Sequence, residues 1–219
     1  MSDRDWVALE STLRHRLTRP LPGPEAQRRF APSPLRDAWA PELEPATARR
    51  AAVLLLVYPA APGAVVPLTV RPSDLPQHAG QVSLPGGAID PGESAEAAAL
   101  REAHEELGVG PADVRILGPL STLWILVSNF VVHPFIGLTD RPPVFQVDPR
   151  EVESVVEAPL ADICDPTRLN WTRRERDGHL IDYPYFDLAG HHVWGATAMI
   201  LGELACLFDA DHGPPGRGG

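Results

Sequence analysis

The chain has 219 residues, enough for one domain with an ample core and short extensions. Its formal charge is −10, which argues against nucleic-acid or membrane partners, because both are bound through basic patches. Two cysteines are too few for a disulfide framework or a zinc cluster. The charged N-terminus lacks a signal core and no apolar run approaches the ~20 residues of a spanning helix, so we expect a cytoplasmic protein.

Residues 1–45 are predicted to form an N-terminal helix and a Pro-rich extension packed on the domain. Apolar residues recur at helical spacing from Asp3 to Leu17, and this helix could cover the domain or form a homodimer contact. Pro20 to Pro45 is rich in proline and arginine, which predicts an extended connector over the surface.

Residues 46–208 are predicted to form the main domain, and residues 209–219 a disordered tail. Apolar, β-branched runs predict strands, and Thr197 to Phe208 predicts a closing amphipathic helix. A short helical turn is expected over Leu160 to Cys164. The predicted strands are Ala51 to Tyr58, Val65 to Arg71, Val114 to Leu117, Leu123 to Val127, Val131 to Ile136 and Val152 to Val156. Strands between helices predict the α/β class, with a mixed sheet in an α/β/α sandwich.

The segment from Gly87 to Val109 predicts a turn followed by a short helix. Asp90 to Gly92 has turn chemistry, and Ser94 is a good N-cap residue. The alanine-rich run from Ala95 to Leu107 has high helix propensity, and Gly108 is expected to end it.

Three carboxylates lie close together on this helix. At about 100° per residue, Glu102, Glu105 and Glu106 share one arc, opposite the arc of Leu100, Ala103 and Leu107. If that face is half buried, two charges ~5 Å apart cost about 3 kcal/mol, which favours a counter-cation. Mg²⁺ prefers hard oxygen ligands, and a backbone carbonyl such as that of Gly86 could add one. Considered alone, the cluster could also be a solvated acidic face.

The spacing of the fixed residues resembles the signature of the Nudix hydrolases. Gly87 is followed after five residues by Glu93 and after seven more by Arg101 to Val109. The resemblance implies the same α/β/α fold, a Mg²⁺ or Mn²⁺ cofactor, and hydrolysis of a nucleoside diphosphate linked to another moiety. Every fixed position is filled, with Ala103 where the pattern asks for a larger aliphatic residue.

The resemblance also implies roles for individual residues. Glu102 and Glu106 would hold the main metal ion, and Glu105 would complete the site or bind a second ion. Glu105 is the first candidate general base and Glu151, on a loop, is the second. Arg101 would brace the loop against the helix or stabilise charge on phosphate.

A second motif resembles that of the coenzyme A diphosphatases within the family. It comprises Leu68 to Arg71, Gly80 and Pro85 to Gly87. Prolines depart from the pattern at Pro67, Pro72 and Pro76. The last of these replaces a basic residue, which removes one candidate contact to the 3′-phosphate of coenzyme A.

The second motif implies that coenzyme A or its thioesters are the substrate. Arg71 is the best candidate for binding phosphate, because its planar guanidinium can make two hydrogen bonds to it. Gln81 and Ser83 could donate hydrogen bonds to phosphate or pantetheine. His78 and His104 are expected to be structural or exposed. The alternatives are a Nudix enzyme for ADP-ribose or NADH and a module that senses a nucleotide without cleaving it.

Overall fold

The computed structural model describes residues 1–34, 40–73, 80–176 and 178–209. Within them the helices are α1 (Asp3–Leu17), α2 (Gly23–Arg29), α3 (Ala95–Leu107), α4 (Leu160–Ile163) and α5 (Gly195–Cys206). The strands are β1 (Arg49–Pro59), β2 (Ala64–Val70), β3 (Val82–Ser83), β4 (Gly86–Ala88), β5 (Arg115–Pro119), β6 (Leu123–Ile125), β7 (Phe130–Leu138), β8 (Ser154–Pro159), β9 (Leu169–Arg176), β10 (His179–Leu188) and β11 (His191–Trp194). Single 3₁₀ turns cover Pro111–Asp113 and Pro166–Arg168.

The main sheet is mixed and is organised around β1. This strand pairs antiparallel with β2 and β4 and parallel with β7. β8 and β3 extend the sheet through antiparallel pairing with β2, and β5 and β6 pair with β7. The parallel pair needs a long crossover, which is the stretch that contains α3.

Alternate residues of β1 point to opposite layers of the molecule. Leu54 and Leu56 join a buried cluster with the apolar side of α3. Leu55 and Val57 join the larger cluster on the other face, which contains α5. Because side chains alternate along a strand, a continuous apolar run serves both layers. The predicted α/β/α sandwich with a mixed sheet is therefore confirmed.

The predicted closing helix is present as α5, but the prediction that it is amphipathic is wrong. Every residue of α5 from Thr197 to Cys206 is buried. Its covering partners include α2 and a separate three-stranded sheet of β9, β10 and β11, which the sequence interpretation missed. A helix that is apolar on most sides is a core helix rather than a surface one.

The N-terminal segment contains one predicted helix and one that was not predicted. α1 has the expected bounds, and Ser2 caps it through a reciprocal bond pair with Asp5. The predicted extended connector is wrong where α2 forms. Gln27 of α2 donates from Nε2 to the fully buried Glu203 carboxylate at 2.9 Å, and the Gly23 amide donates to the same group at 3.1 Å.

Two predictions fall partly or wholly outside the described residues: the disordered tail, beyond residue 209, and the role of His78. Across the described parts of the chain, no helix is both long and apolar enough to cross a membrane.

Candidate active site

The turn and helix that carry the carboxylates form as the sequence predicts. Ser94 accepts a hydrogen bond from the Ala97 amide at 3.1 Å and so caps α3. Gly108 ends the helix in the left-handed conformation, with a φ of 73°, and its amide donates to the His104 carbonyl. The helix bounds therefore follow from local signals.

Arg101 braces the turn against α3. Its Nε donates to Glu93 Oε1 at 3.0 Å, and its Nη2 donates to the Ala88 carbonyl at 3.0 Å. Its Nη1 lies 2.7 Å from Glu102 Oε1 and 3.1 Å from Glu105 Oε2. One guanidinium thus holds the loop in place and partly neutralises two of the predicted metal ligands.

Glu106 is the most buried of the three carboxylates on the arc that the helical spacing predicts. It is only 5% exposed, like its buried neighbours Ala103 and Leu107, because β4 covers this side of the helix. The Gly86 amide donates to Glu106 Oε2 at 3.2 Å. Burial, reinforced by the charges of Glu102 and Glu151, raises the pKa of Glu106 to about 8.

Glu151 lies within electrostatic reach of the helix carboxylates. Burial raises the pKa of Glu102 and Arg101 opposes that shift, while the charges of Glu105 and Glu151 raise it further. Glu151 precedes β8 on an exposed segment, where its amide donates to the Asp148 carbonyl at 3.0 Å. The fold therefore places both candidate bases, Glu105 and Glu151, beside the same cluster.

The donor set has the chemistry that a hard divalent cation needs. Four carboxylates of like charge act on one another here, and the Gly86 amide approaches the most buried of them. In the described parts of the chain, no three His, Cys, Asp or Glu side chains converge tightly enough to enclose an ion. Because Arg101 contacts both Glu102 and Glu105, these two side chains would rotate to coordinate a metal ion.

Comparison with known proteins identifies the family of this chain. The NUDIX domain profile matches residues 48–181, which include the turn, α3 and the loop of Glu151. The chain belongs to the Nudix family.

The curated relatives agree with this assignment. "Uncharacterized Nudix hydrolase NudL" of Enterobacter sp. (strain 638) is 40% identical over 161 residues, which cover 72% of this chain and 81% of the relative. The protein of the same name from Escherichia coli (strain K12) is 38% identical with the same coverage. Among solved structures, the Nudix hydrolase RenU from M. smegmatis is 26% identical with a TM-score of 0.46, covering 53% of this chain and 74% of that one.

Membership fixes the class of reaction. Nudix hydrolases act on phosphorus-containing anhydrides of small nucleotides and generally use a divalent metal such as Mg²⁺ or Mn²⁺. The chain is therefore an enzyme of this class.

Arg71, the predicted phosphate-binding residue, directly follows β2. Its charge lowers the pKa of Glu106, which places the guanidinium near the carboxylate cluster. Its Nε is buried without a hydrogen-bond partner among the described residues. A buried donor left unpaired costs about 1–3 kcal/mol, so an incoming acceptor would be favoured here.

Gln81 directly precedes β3, and Ser83 lies in this strand, which pairs with the end of β2. The Arg71 amide donates to the Gln81 carbonyl at 3.0 Å, which holds the two segments together. The Ser83 hydroxyl lies 3.0 Å from that of the buried Thr69, so Ser83 contributes to the sheet. Their contacts with substrate stay predictions.

The structure also contains a cavity that the sequence interpretation missed. Its volume is about 430 Å³, and its walls come from two segments far apart in the chain. The lining residues are Pro72, Ser73, Val147, Pro149, Val152 and Glu153. The sequence carries no local signal for it, because the walls meet only when β8 pairs with β2.

Gly87→Ala should impair catalysis while leaving the fold intact. A Cβ at this position would lie 2.5 Å from Cδ and 2.6 Å from Oε2 of Glu102. Only the end of a flexible side chain has to move, so the cost falls on the position of the carboxylate. Since misplacement by ~1 Å can cost up to ~10²-fold, we expect turnover to fall at least tenfold at an unchanged melting temperature.

The matched control is Gly63→Ala, since a Cβ at Gly63 would contact nothing within 4 Å. Steady-state kinetics and thermal melting of both variants check the prediction. Equal turnover in the two variants would show that Glu102 does not need the space beside Gly87.

Proposed function

We propose that this Nudix enzyme hydrolyses the diphosphate linkage of coenzyme A or its thioesters, with Mg²⁺ or Mn²⁺ as cofactor. The products from coenzyme A would be adenosine 3′,5′-bisphosphate and 4′-phosphopantetheine. The observation that carries the proposal is Arg71, whose Nε is buried without a partner among the described residues and whose charge lowers the pKa of Glu106. In this proposal the second sequence motif and α3 contribute to one site.

Different residues of the chain would bind the metal ion and the substrate phosphate. Glu102, Glu105 and Glu106 would hold the cation, and Arg71 would bind a phosphate oxygen through two charge-assisted hydrogen bonds. When bound, the metal supplies charge neutralisation on the diphosphate and activation of the attacking water. The water oxygen bonds to one phosphorus, and the bridging P–O bond breaks on the opposite side.

Proton transfer in this step falls to a carboxylate at the edge of the cluster. Glu105 and Glu151 are both exposed, so either could pass the proton of the attacking water to solvent. Glu105 is held 3.1 Å from Arg101, whereas Glu151 lies on a separate segment. Arg101 would stabilise charge on phosphate once Glu102 and Glu105 turn to the cation.

Product analysis in ¹⁸O-labelled water tests the substrate and the reaction together. Coenzyme A, acetyl-coenzyme A, ADP-ribose and NADH are compared at saturating Mg²⁺, and the products are resolved by mass spectrometry. We expect cleavage of the coenzyme A diphosphate with one labelled oxygen in one product. Rapid cleavage of ADP-ribose beside little cleavage of coenzyme A would refute the substrate, and binding without products would indicate a sensor.

Arg71→Lys should weaken substrate binding more than turnover. Lysine keeps the charge but lacks the planar fork, so we expect the KM for coenzyme A to rise about tenfold. The control is Arg173→Lys on the three-stranded sheet. The Arg173 guanidinium also makes two hydrogen bonds to one carboxylate, that of Asp182, at 2.6 and 3.1 Å. Steady-state kinetics that gave the same KM for both variants would remove Arg71 from the phosphate site.

A further inference from the structure

The cavity of about 430 Å³ is lined by direct chain neighbours of two residues proposed for the active site. Pro72 follows Arg71 directly, and Val152 follows Glu151. The Glu153 amide donates to the Val70 carbonyl at 2.8 Å, which fastens one wall of the cavity to the end of β2. Both segments that line the cavity therefore continue directly from residues of the proposed site, Arg71 and Glu151.

Among the described residues, the lining of the cavity is mainly apolar and carries no positive charge. Four of its residues are proline or valine, and the other two are Ser73 and Glu153. Glu153 Oε2 accepts from the Ser73 amide at 3.2 Å and from the Ser73 hydroxyl at 3.0 Å. A carboxylate at this place repels an anionic group, so the cavity suits an uncharged part of the ligand.

The two halves of coenzyme A differ in charge, and the lining of the cavity favours an uncharged group. The nucleotide half carries a 3′-phosphate, which the Glu153 carboxylate disfavours. The pantetheine half is uncharged, with methyl and methylene groups for the apolar wall and two amides for polar atoms such as those of Ser73 and Glu153. Its size also suits a cavity within the ~300–1,000 Å³ range of ligand pockets.

We propose that this cavity binds the pantetheine arm of the substrate, with Arg71 at the boundary between the arm and the diphosphate. The inference rests on the proposed function, because it names which end of coenzyme A lies on which side of the metal site. Acyl groups of coenzyme A thioesters would leave the cavity through its open mouth toward solvent.

A pair of valine substitutions tests the assignment. Val147 lines the cavity and is 36% exposed, so Val147→Trp fills the space without disturbing the core. Val144 lies on the same segment, is 82% exposed and is not a lining residue, so Val144→Trp is the matched control. Equal melting temperatures establish that both variants fold.

The readout is inhibition of coenzyme A hydrolysis by each product. In Val147→Trp we expect inhibition by 4′-phosphopantetheine to weaken roughly tenfold or more, as for a blocked apolar pocket, with adenosine 3′,5′-bisphosphate changed less than about twofold. Val144→Trp should match the wild type with both inhibitors. The KM for coenzyme A should rise in parallel with the first effect.

The failures of this inference and of the proposed function are distinguishable. A wild-type enzyme that leaves coenzyme A intact overturns the function and this inference together. A wild type that cleaves it, beside a Val147→Trp variant with unchanged inhibition by 4′-phosphopantetheine, overturns the inference alone. Selective loss of inhibition by the bisphosphate would place the nucleotide half in the cavity and also overturn it.

Discussion

Glu102→Gln should lower turnover at least ~10²-fold at saturating Mg²⁺, in line with removal of a major electrostatic element of an active site. Glutamine keeps the shape of the side chain and removes its charge. Glu102 is half-buried beside Gly87, and its carboxylate acts electrostatically on those of Glu105 and Glu106. The lost charge is therefore one that a cation bridging this cluster needs.

The control for this substitution is Glu96→Gln. Glu96 is exposed in the first turn of the same helix, so its replacement removes one charge from α3 without touching the cluster. We expect the control to retain nearly full turnover, measured with the same substrate and Mg²⁺ concentration. Near-wild-type turnover of Glu102→Gln would refute its assignment as a metal ligand.

Glu106→Gln should abolish metal-dependent activity and yet stabilise the metal-free protein at alkaline pH. Burial raises the pKa of Glu106 from its usual value of 4.5 to about 8. The folded chain therefore holds this proton more tightly than the unfolded chain does between those values. The resulting stabilisation is complete below pH 4.5 and is lost as the pH rises through 8.

Glutamine carries no charge over this range and can still accept the hydrogen bond of the Gly86 amide. With a metal chelator present at pH 8, we expect the free energy of unfolding of Glu106→Gln to exceed that of the wild type by on the order of 1–3 kcal/mol. The difference should shrink toward pH 5. Urea unfolding at several pH values measures it, and a difference that does not change with pH would contradict the proposed burial of the charge.

Addition of a metal ion should make the wild type more stable than Glu106→Gln. A cation needs the ionised carboxylate, so its binding displaces the Glu106 proton and strengthens as the pH rises toward 8. Mn²⁺ should then raise the melting temperature of the wild type and leave that of Glu106→Gln almost unchanged. Equal shifts in both proteins would remove Glu106 from the metal site.

The part of the site predicted from the sequence is the part built by local chemistry. Ser94 and Gly108 set the bounds of α3 through hydrogen bonds within a few residues. The brace between Glu93 and Arg101 also lies within the signature itself. Strands β1 and β2 were predicted for a similar reason, since each forms from a continuous apolar run of the sequence.

The features of the fold and of the site that the sequence did not predict depend on contacts between distant parts of the chain. Helical periodicity placed Glu106 on one arc with Glu102 and Glu105, but it cannot show that β4 contacts this helix and which carboxylate is buried as a result. α2 was missed because Gln27 acquires its buried partner, Glu203, from the last helix. The strands β9 and β10 carry many charged and polar residues, so their pattern did not predict the sheet that covers α5.

Anomalous diffraction from crystals grown with Mn²⁺ would locate the metal ion relative to α3. We expect a manganese peak contacting the carboxylates of Glu102 and Glu106, next to the Gly86–Gly87 backbone, with Arg101 released from Glu102. A peak located elsewhere, or no peak between these carboxylates at saturating Mn²⁺, would contradict this expectation.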